Sequence, residues 1–107
     1  MQKNIYGLFD PKTHNFGDIC LLDRDEEFRD GCIDLLSNPS IPEYVSSDLI
    51  GVCYGYVTFD SDDMYPRFTW TDTPRIIIQG TSPAVVFKRQ GRLNESLKED
   101  DVHDAEV

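Results

Sequence analysis

The chain has 107 residues, 39% of them hydrophobic, and a formal net charge of −10. That length sets one domain with one modest core, and that charge excludes a generic nucleic-acid binder, which needs net positive charge somewhere on its surface. The longest apolar stretches, such as Ile76–Ile78 and Ala84–Phe87, fall far short of the roughly 18 residues that cross a bilayer. The expectation is a soluble, unexported protein with no membrane partner.

In chain order, Ile5–Phe9 and Phe16–Leu22 read as two strands joined through the turn-forming Asp10–Asn15, a hairpin. Asp23 stands three positions before Glu26, a capping-box spacing that starts a helix. Phe28, Cys32, Leu35 and Leu36 then give that helix an apolar face at i, i+4, i+7 and i+8, with Arg24, Glu27, Asp30 and Asp34 left for solvent, until Asn38-Pro39 stops it. Ser40–Asp48 reads as a loop. Leu49–Phe59, rich in Val, Tyr, Cys and Phe, reads as the central strand, with Gly51 and Gly55 placed for a bulge or a close backbone approach. Arg67–Thr71, Arg75–Gln79 and Ala84–Lys88 follow as three short strands separated by Asp72-Thr73-Pro74 and Gly80-Thr81-Ser82-Pro83. The predicted fold is α+β: a small, mostly antiparallel sheet of five or six strands with one helix, occupying residues 1–92.

Charge is sorted along the second half. From Pro74 to Asn94 there is no acidic residue but there are Arg75, Lys88, Arg89 and Arg92. The next stretch, 95–107, carries Glu95, Glu99, Asp100, Asp101, Asp104 and Glu106 against Lys98 alone, a formal −5. Residues 93–107 read as an acidic, disordered tail that either solubilises the chain, competes for a basic groove, or docks a replication protein.

The first sixty residues carry a resemblance. Ile5-Tyr6-Gly7-Leu8-Phe9-Asp10, an aromatic strand after a short linker, a helix ending in Leu35-Leu36-Ser37-Asn38-Pro39, and Ser47-Asp48-Leu49 leading to Gly55 and Phe59-Asp60 together resemble the small nonstructural protein of gokushovirus-type microviruses. Those are single-stranded DNA phages, and proteins of this family are described as DNA-binding or replication-associated. The resemblance implies an accessory protein working beside a single-stranded genome in the bacterial host cytoplasm.

Single-stranded DNA binding needs cations along the backbone and aromatic faces for bases to stack on. Arg67, Phe68, Trp70, Arg75, Lys88, Arg89 and Arg92 supply both types, with Phe68 and Trp70 sharing one face of a strand and Arg67 the other. The same aromatics serve equally as core residues. Other chemistry finds little footing. Cys20, Cys32 and Cys53 lie in mostly apolar surroundings, as reduced core thiols do, and with His14 they lack the close Cys-x-x-Cys pair of a zinc site. Asp60, Asp62 and Asp63 lack the glycine and closing glutamate of a calcium loop. His14 and His103 accompany no nucleophile motif, and there is no glycine-rich phosphate loop. The sequence therefore points to a nonenzymatic protein without metal or cofactor that binds single-stranded DNA or assists its replication or packaging. The rival reading is an acidic module whose Asp23–Asp34 face and tail imitate nucleic acid to occupy a host or viral replication factor; self-association is left open.

Overall fold

The computed structural model describes the backbone of residues 1–105 and the side chains of residues 1–95. Its elements are β1 (Gln2–Asp10), β2 (Asn15–Phe16), β3 (Cys20–Leu22), α1 (Asp25–Leu36), α2 (Glu43–Ser46), β4 (Ile50–Thr58), β5 (Arg67–Gln79) and α3 (Pro83–Ala105). The five strands form one antiparallel sheet in the order β2-β1-β4-β5, with β3 pairing the same edge of β1 as β2. The α+β class and the antiparallel sheet stand as the sequence predicts them.

Register explains which side chains meet. Tyr6 pairs with Cys53, and Cys53 with Arg75, so these three share a face. That face receives the helices. Tyr6, Phe28, Cys32, Leu36, Cys53, Ile78 and Val85 form the buried core, and the Tyr6 and Phe28 rings stack at 4.6 Å between centroids. Gly51 is small because it must be: a Cβ there would lie 2.8 Å from Ile78 Cγ2 and 3.0 Å from the Phe28 ring. Gly55 has a φ of +149°, and a Cβ would fall 2.0 Å from the Thr69 carbonyl oxygen, so the ladder shifts register there as its position in the central strand suggests.

Several expectations need correction, among them Phe16–Leu22, which is two short strands, β2 and β3, and Ser40–Asp48, which contains α2. The apolar face of α1 is Phe28, Cys32 and Leu36, whereas Leu35 is 45% exposed. Successive residues of a helix are 100° apart, so Leu35 and Leu36 cannot both point at the sheet, and Leu36 extends the i, i+4, i+8 row. Asp23 does not cap α1: the helix begins after Arg24 without a side-chain cap, and Asp23 instead pairs with Lys3 at 3.3 Å. The two strands predicted on either side of Asp72-Thr73-Pro74 are one strand, β5, in which Thr71–Pro74 bulge outward opposite Tyr54.

The last correction is the largest. Ala84–Lys88 is not a strand but the opening of α3, and the backbone stays helical to Ala105 through most of the segment expected to be a disordered tail. Ser82-Pro83 is the physical cause. Proline at the first helical position has its φ preset and lacks an N–H that would be orphaned anyway, and the Ser82 carbonyl accepts from Val85 N and Val86 N. With the four-residue α2, the described residues carry three helices where one was expected.

The register of α1 can be tested directly. Leu36→Ala should cost about 2–5 kcal/mol by opening a core cavity, and Leu35→Ala under about 1 kcal/mol. Chemical denaturation of both variants measures the contrast, and equal midpoints would show that the helix is rotated from this position.

The candidate functional site on the open sheet face

The helices cover one face of the sheet, and the other face is built by the same alternation. Val57 pairs with Phe68, Gly55 with Trp70, Ile5 with Gly55 and Leu21 with Ile5, so these side chains lie on the side away from Tyr6. Ile5 and Val57 are buried there, flanked in register by Leu21 on one side and by Phe68 and Trp70 on the other. The two aromatics remain open to solvent, at 53% and 59% exposure, and their rings lie nearly parallel with centroids 5.8 Å apart. Trp70 stands opposite a glycine, which leaves its ring room to lie across the strand. Ile76, in register with Val52, continues the exposed apolar surface, and Met64 and Tyr65 stand exposed in the turn before β5.

The cations expected to accompany these rings are elsewhere. Arg67 bonds Asp63 at 3.2 Å and points to the face opposite Phe68. Arg75 reaches the helix face and grips Asp25 with both terminal guanidinium nitrogens, Nη1 and Nη2, at 2.5 and 3.2 Å. Lys88 pairs with Asp34. Arg89 is half-buried and donates to the carbonyls of Leu36, Asn38 and Ile41 and to Ser46 Oγ, while Arg92 donates to Asp34 O at 2.8 Å and Ser37 Oγ at 2.9 Å. The proposed basic strip is therefore not a strip. Phe68 and Trp70 come together, but Arg75, Lys88, Arg89 and Arg92 are drawn to α1.

The reason is electrostatic. The last turn of α1 contains no basic residue, and its unsatisfied carbonyls carry partial negative charge that attracts cations. Arg89 and Arg92, one turn apart on α3, supply them. Val85, Arg89 and Arg92 recur at i, i+4 and i+7, a helical spacing in the sequence that would have identified this inward face. With Lys3–Asp23, Lys12–Asp48 and Arg24–Glu27 also paired, Arg29 is the one Lys or Arg among the described residues with neither an ion pair nor a side-chain hydrogen bond. The acids are not balanced in return: among the described residues Asp10, Asp18, Glu26, Asp30, Glu43, Asp60, Asp62, Asp72 and Glu95 lie outside the six ion pairs. Of the acidic partner-binding residues proposed for the tail, Glu95 is exposed, whereas the side chains of Glu99, Asp100, Asp101, Asp104 and Glu106 lie outside the described residues.

A polar triad missed in the sequence ties the sheet to α1. The Tyr6 hydroxyl donates to Asp25 Oδ1 at 2.6 Å and accepts from Asn4 Nδ2 at 3.0 Å. Arg75, and then this hydroxyl, hold the Asp25 carboxyl below the usual carboxylate range; burial, and then the bond to Asp25, push the Tyr6 phenol above its ordinary value. Lys88 likewise lowers Asp34, and burial pushes the Cys32 thiol up to about 12. Among the described residues no group of His, Cys, Asp and Glu could hold a metal ion. Comparison of the chain with known protein families, curated proteins and solved structures finds no match to any of them.

The triad sets a pH window. Asp25 and Asp34, lowered in the folded state, contribute stability above their unfolded value of about 4 and lose it as pH falls below. Cys32 and Tyr6, raised in the folded state, contribute fully below unfolded values of about 8.5 and 10 and lose that contribution as pH rises. Urea midpoints should plateau between about pH 5 and 8 and fall on both sides, with a shallower acid limb in Asp25→Asn. An unchanged acid slope in that variant would remove Asp25 from the account.

Arg89 and Arg67 should behave differently. Arg89→Ala should cost about 2–3 kcal/mol because it strands carbonyls half-buried at the α1 terminus, and Arg89→Lys should restore only part because an ammonium lacks the planar fork. Arg67→Ala, at an exposed pair, should change stability by under about 0.5 kcal/mol. Thermal melts of the three variants decide it.

Proposed function

We propose that this protein is a nonenzymatic accessory protein that works as an acidic interaction module, using its surplus carboxylates and its open apolar sheet face to engage a basic surface on a replication protein. The observation that carries the reading is the internal use of the cations. Arg75, Lys88, Arg89 and Arg92 face α1, so the outward surface is dominated by acids, and an anionic surface with an exposed aromatic patch complements a basic, nucleic-acid-binding partner. The resemblance of the first sixty residues to the small nonstructural protein of gokushovirus-type microviruses supplies the setting: a phage protein in the bacterial host cytoplasm, beside the machinery of single-stranded DNA replication or packaging.

Direct binding of single-stranded DNA is the second reading, favoured by one feature, the parallel and exposed Phe68 and Trp70 rings, which offer a stacking platform. It requires the exposed ion pairs of Arg67 and Lys88 to open for phosphate, which is inexpensive for surface pairs, but Arg89 and Arg92 would stay committed to α1.

Trp70 is the single tryptophan, so its fluorescence reports on this face alone. An arginine-rich peptide titrated at low salt should change that emission and lose its effect as salt rises, whereas a single-stranded oligonucleotide should leave it nearly unchanged. Quenching by the oligonucleotide, weakened by Trp70→Ala and by salt, would reverse the order of the two readings; silence toward both probes would remove this face from either.

A further inference from the structure

We infer that β5 is a self-pairing edge, and that two copies of this chain associate antiparallel through Arg67–Trp70 with Thr69 on the two-fold axis. The inference goes beyond the partner reading, since it concerns the isolated chain.

Among the described residues β5 closes the sheet and pairs only with β4, so its outer backbone is free along residues that are exposed on both faces. The available length is short and bounded. Pro66 precedes it, and the Thr71–Pro74 bulge follows it, which confines regular pairing to Arg67–Trp70 and limits slippage. The Thr69 carbonyl is directed at β4, where it occupies the place a Cβ on Gly55 would need. Backbone groups alternate in direction along a strand, so those of Phe68 and Trp70 point to the free edge. An antiparallel copy centred on Thr69 then exchanges hydrogen bonds between Phe68 and the second copy's Trp70, and again between Trp70 and the second copy's Phe68. The sequence around Thr69 is thus self-complementary, as a two-fold interface requires. The two stacked pairs become one two-by-two cluster of rings on the open face. Arg67 arrives opposite Thr71 of the second copy, one residue from its Asp72.

Area sets the strength. With about 150–250 Å² per aromatic side chain, the exposed fractions of Phe68, Trp70 and Tyr65 leave roughly 400 Å² uncovered per copy. Edge pairing covers only the flanks of these rings and leaves their outer faces in water, so the interface stays below the roughly 1,200 Å² at the lower end of specific interfaces. The dimer is accordingly weak, and it forms between chains that each carry −10. Screening that repulsion should tighten it, the opposite of the salt response of nucleic-acid binding.

Sedimentation of the full chain at micromolar to millimolar concentration should show a monomer–dimer equilibrium that shifts toward dimer as salt is raised. Trp70→Lys should weaken it by roughly thirtyfold or more, as expected for an aromatic anchor replaced by a charge, with circular dichroism confirming that this exposed position leaves the fold intact. Thr69 and its symmetry mate form a pair not bonded to each other, with Cα atoms about 4.5 Å apart, within the disulfide range. Thr69→Cys should therefore yield a covalent dimer on mild oxidation, while the wild type, whose Cys32 and Cys53 are buried and whose Cys20 is half-buried, should not. A monomer at every concentration and salt overturns the inference. So does a dimer that survives Trp70→Lys, or one that Thr69→Cys fails to link.

Discussion

The carboxyl end of α1 is where this domain is fastened together. A helix ends in carbonyls with no intrahelical partner, and α1 has no lysine or arginine of its own near that end to meet them. The half-buried guanidinium of Arg89 meets them from α3, with Arg92 beside it, and gathers the end of α1, the turn after it and Ser46 of α2 around one cation. Asp25 does the corresponding work at the other end of α1, joining Tyr6 of β1 to Arg75 of β5. Between these two polar fastenings, Phe28, Cys32 and Leu36 pack on Tyr6, Cys53 and Ile78. The apolar core supplies the driving force, and the charged groups fix where along the sheet the helices sit.

That arrangement decides how the charge sorting of the sequence translates into a surface. A run of basic residues without acids reads as a patch only while its side chains point outward together. Here the topology places α3 alongside α1, so the run is spent on one helix terminus and on Asp25 and Asp34. Among the described residues six acids are matched and nine are left outside, which makes the net charge, and not a local strip, the property the surface presents.

Much of the sheet was legible from residue types. Alternation and β-branched content marked β1, β4 and both halves of β5, and Gly51 and Gly55 were readable as close approaches because a strand interior rarely tolerates glycine otherwise. That Phe68 and Trp70 share one face followed from their spacing, whereas the stacking of their rings did not. What failed was local propensity at Ala84–Lys88, where Val85, Val86 and Phe87 favour a strand but Ser82-Pro83 starts a helix. That error carried the misplacement of Lys88, Arg89 and Arg92 with it. The Tyr6–Asp25–Arg75 triad spans up to 69 residues of sequence, and no short-range pattern marks a contact of that reach.

The fastening by Arg89 and Arg92 also has a consequence for how the chain is made. Synthesis proceeds from the amino end, so α1 and its carboxyl terminus leave the ribosome more than fifty residues before the guanidiniums that cap it. During that interval the helix is twelve residues long, a length at which isolated helices are marginal in water, and its Phe28–Leu36 face has only β1 and β3 available until β4 and β5 follow. Native closure is therefore a late event in the life of the nascent chain. A chain ending before Arg89, once clear of the ribosome, would hold a sheet whose covering helix is not yet secured, the state most open to capture by a chaperone or a protease.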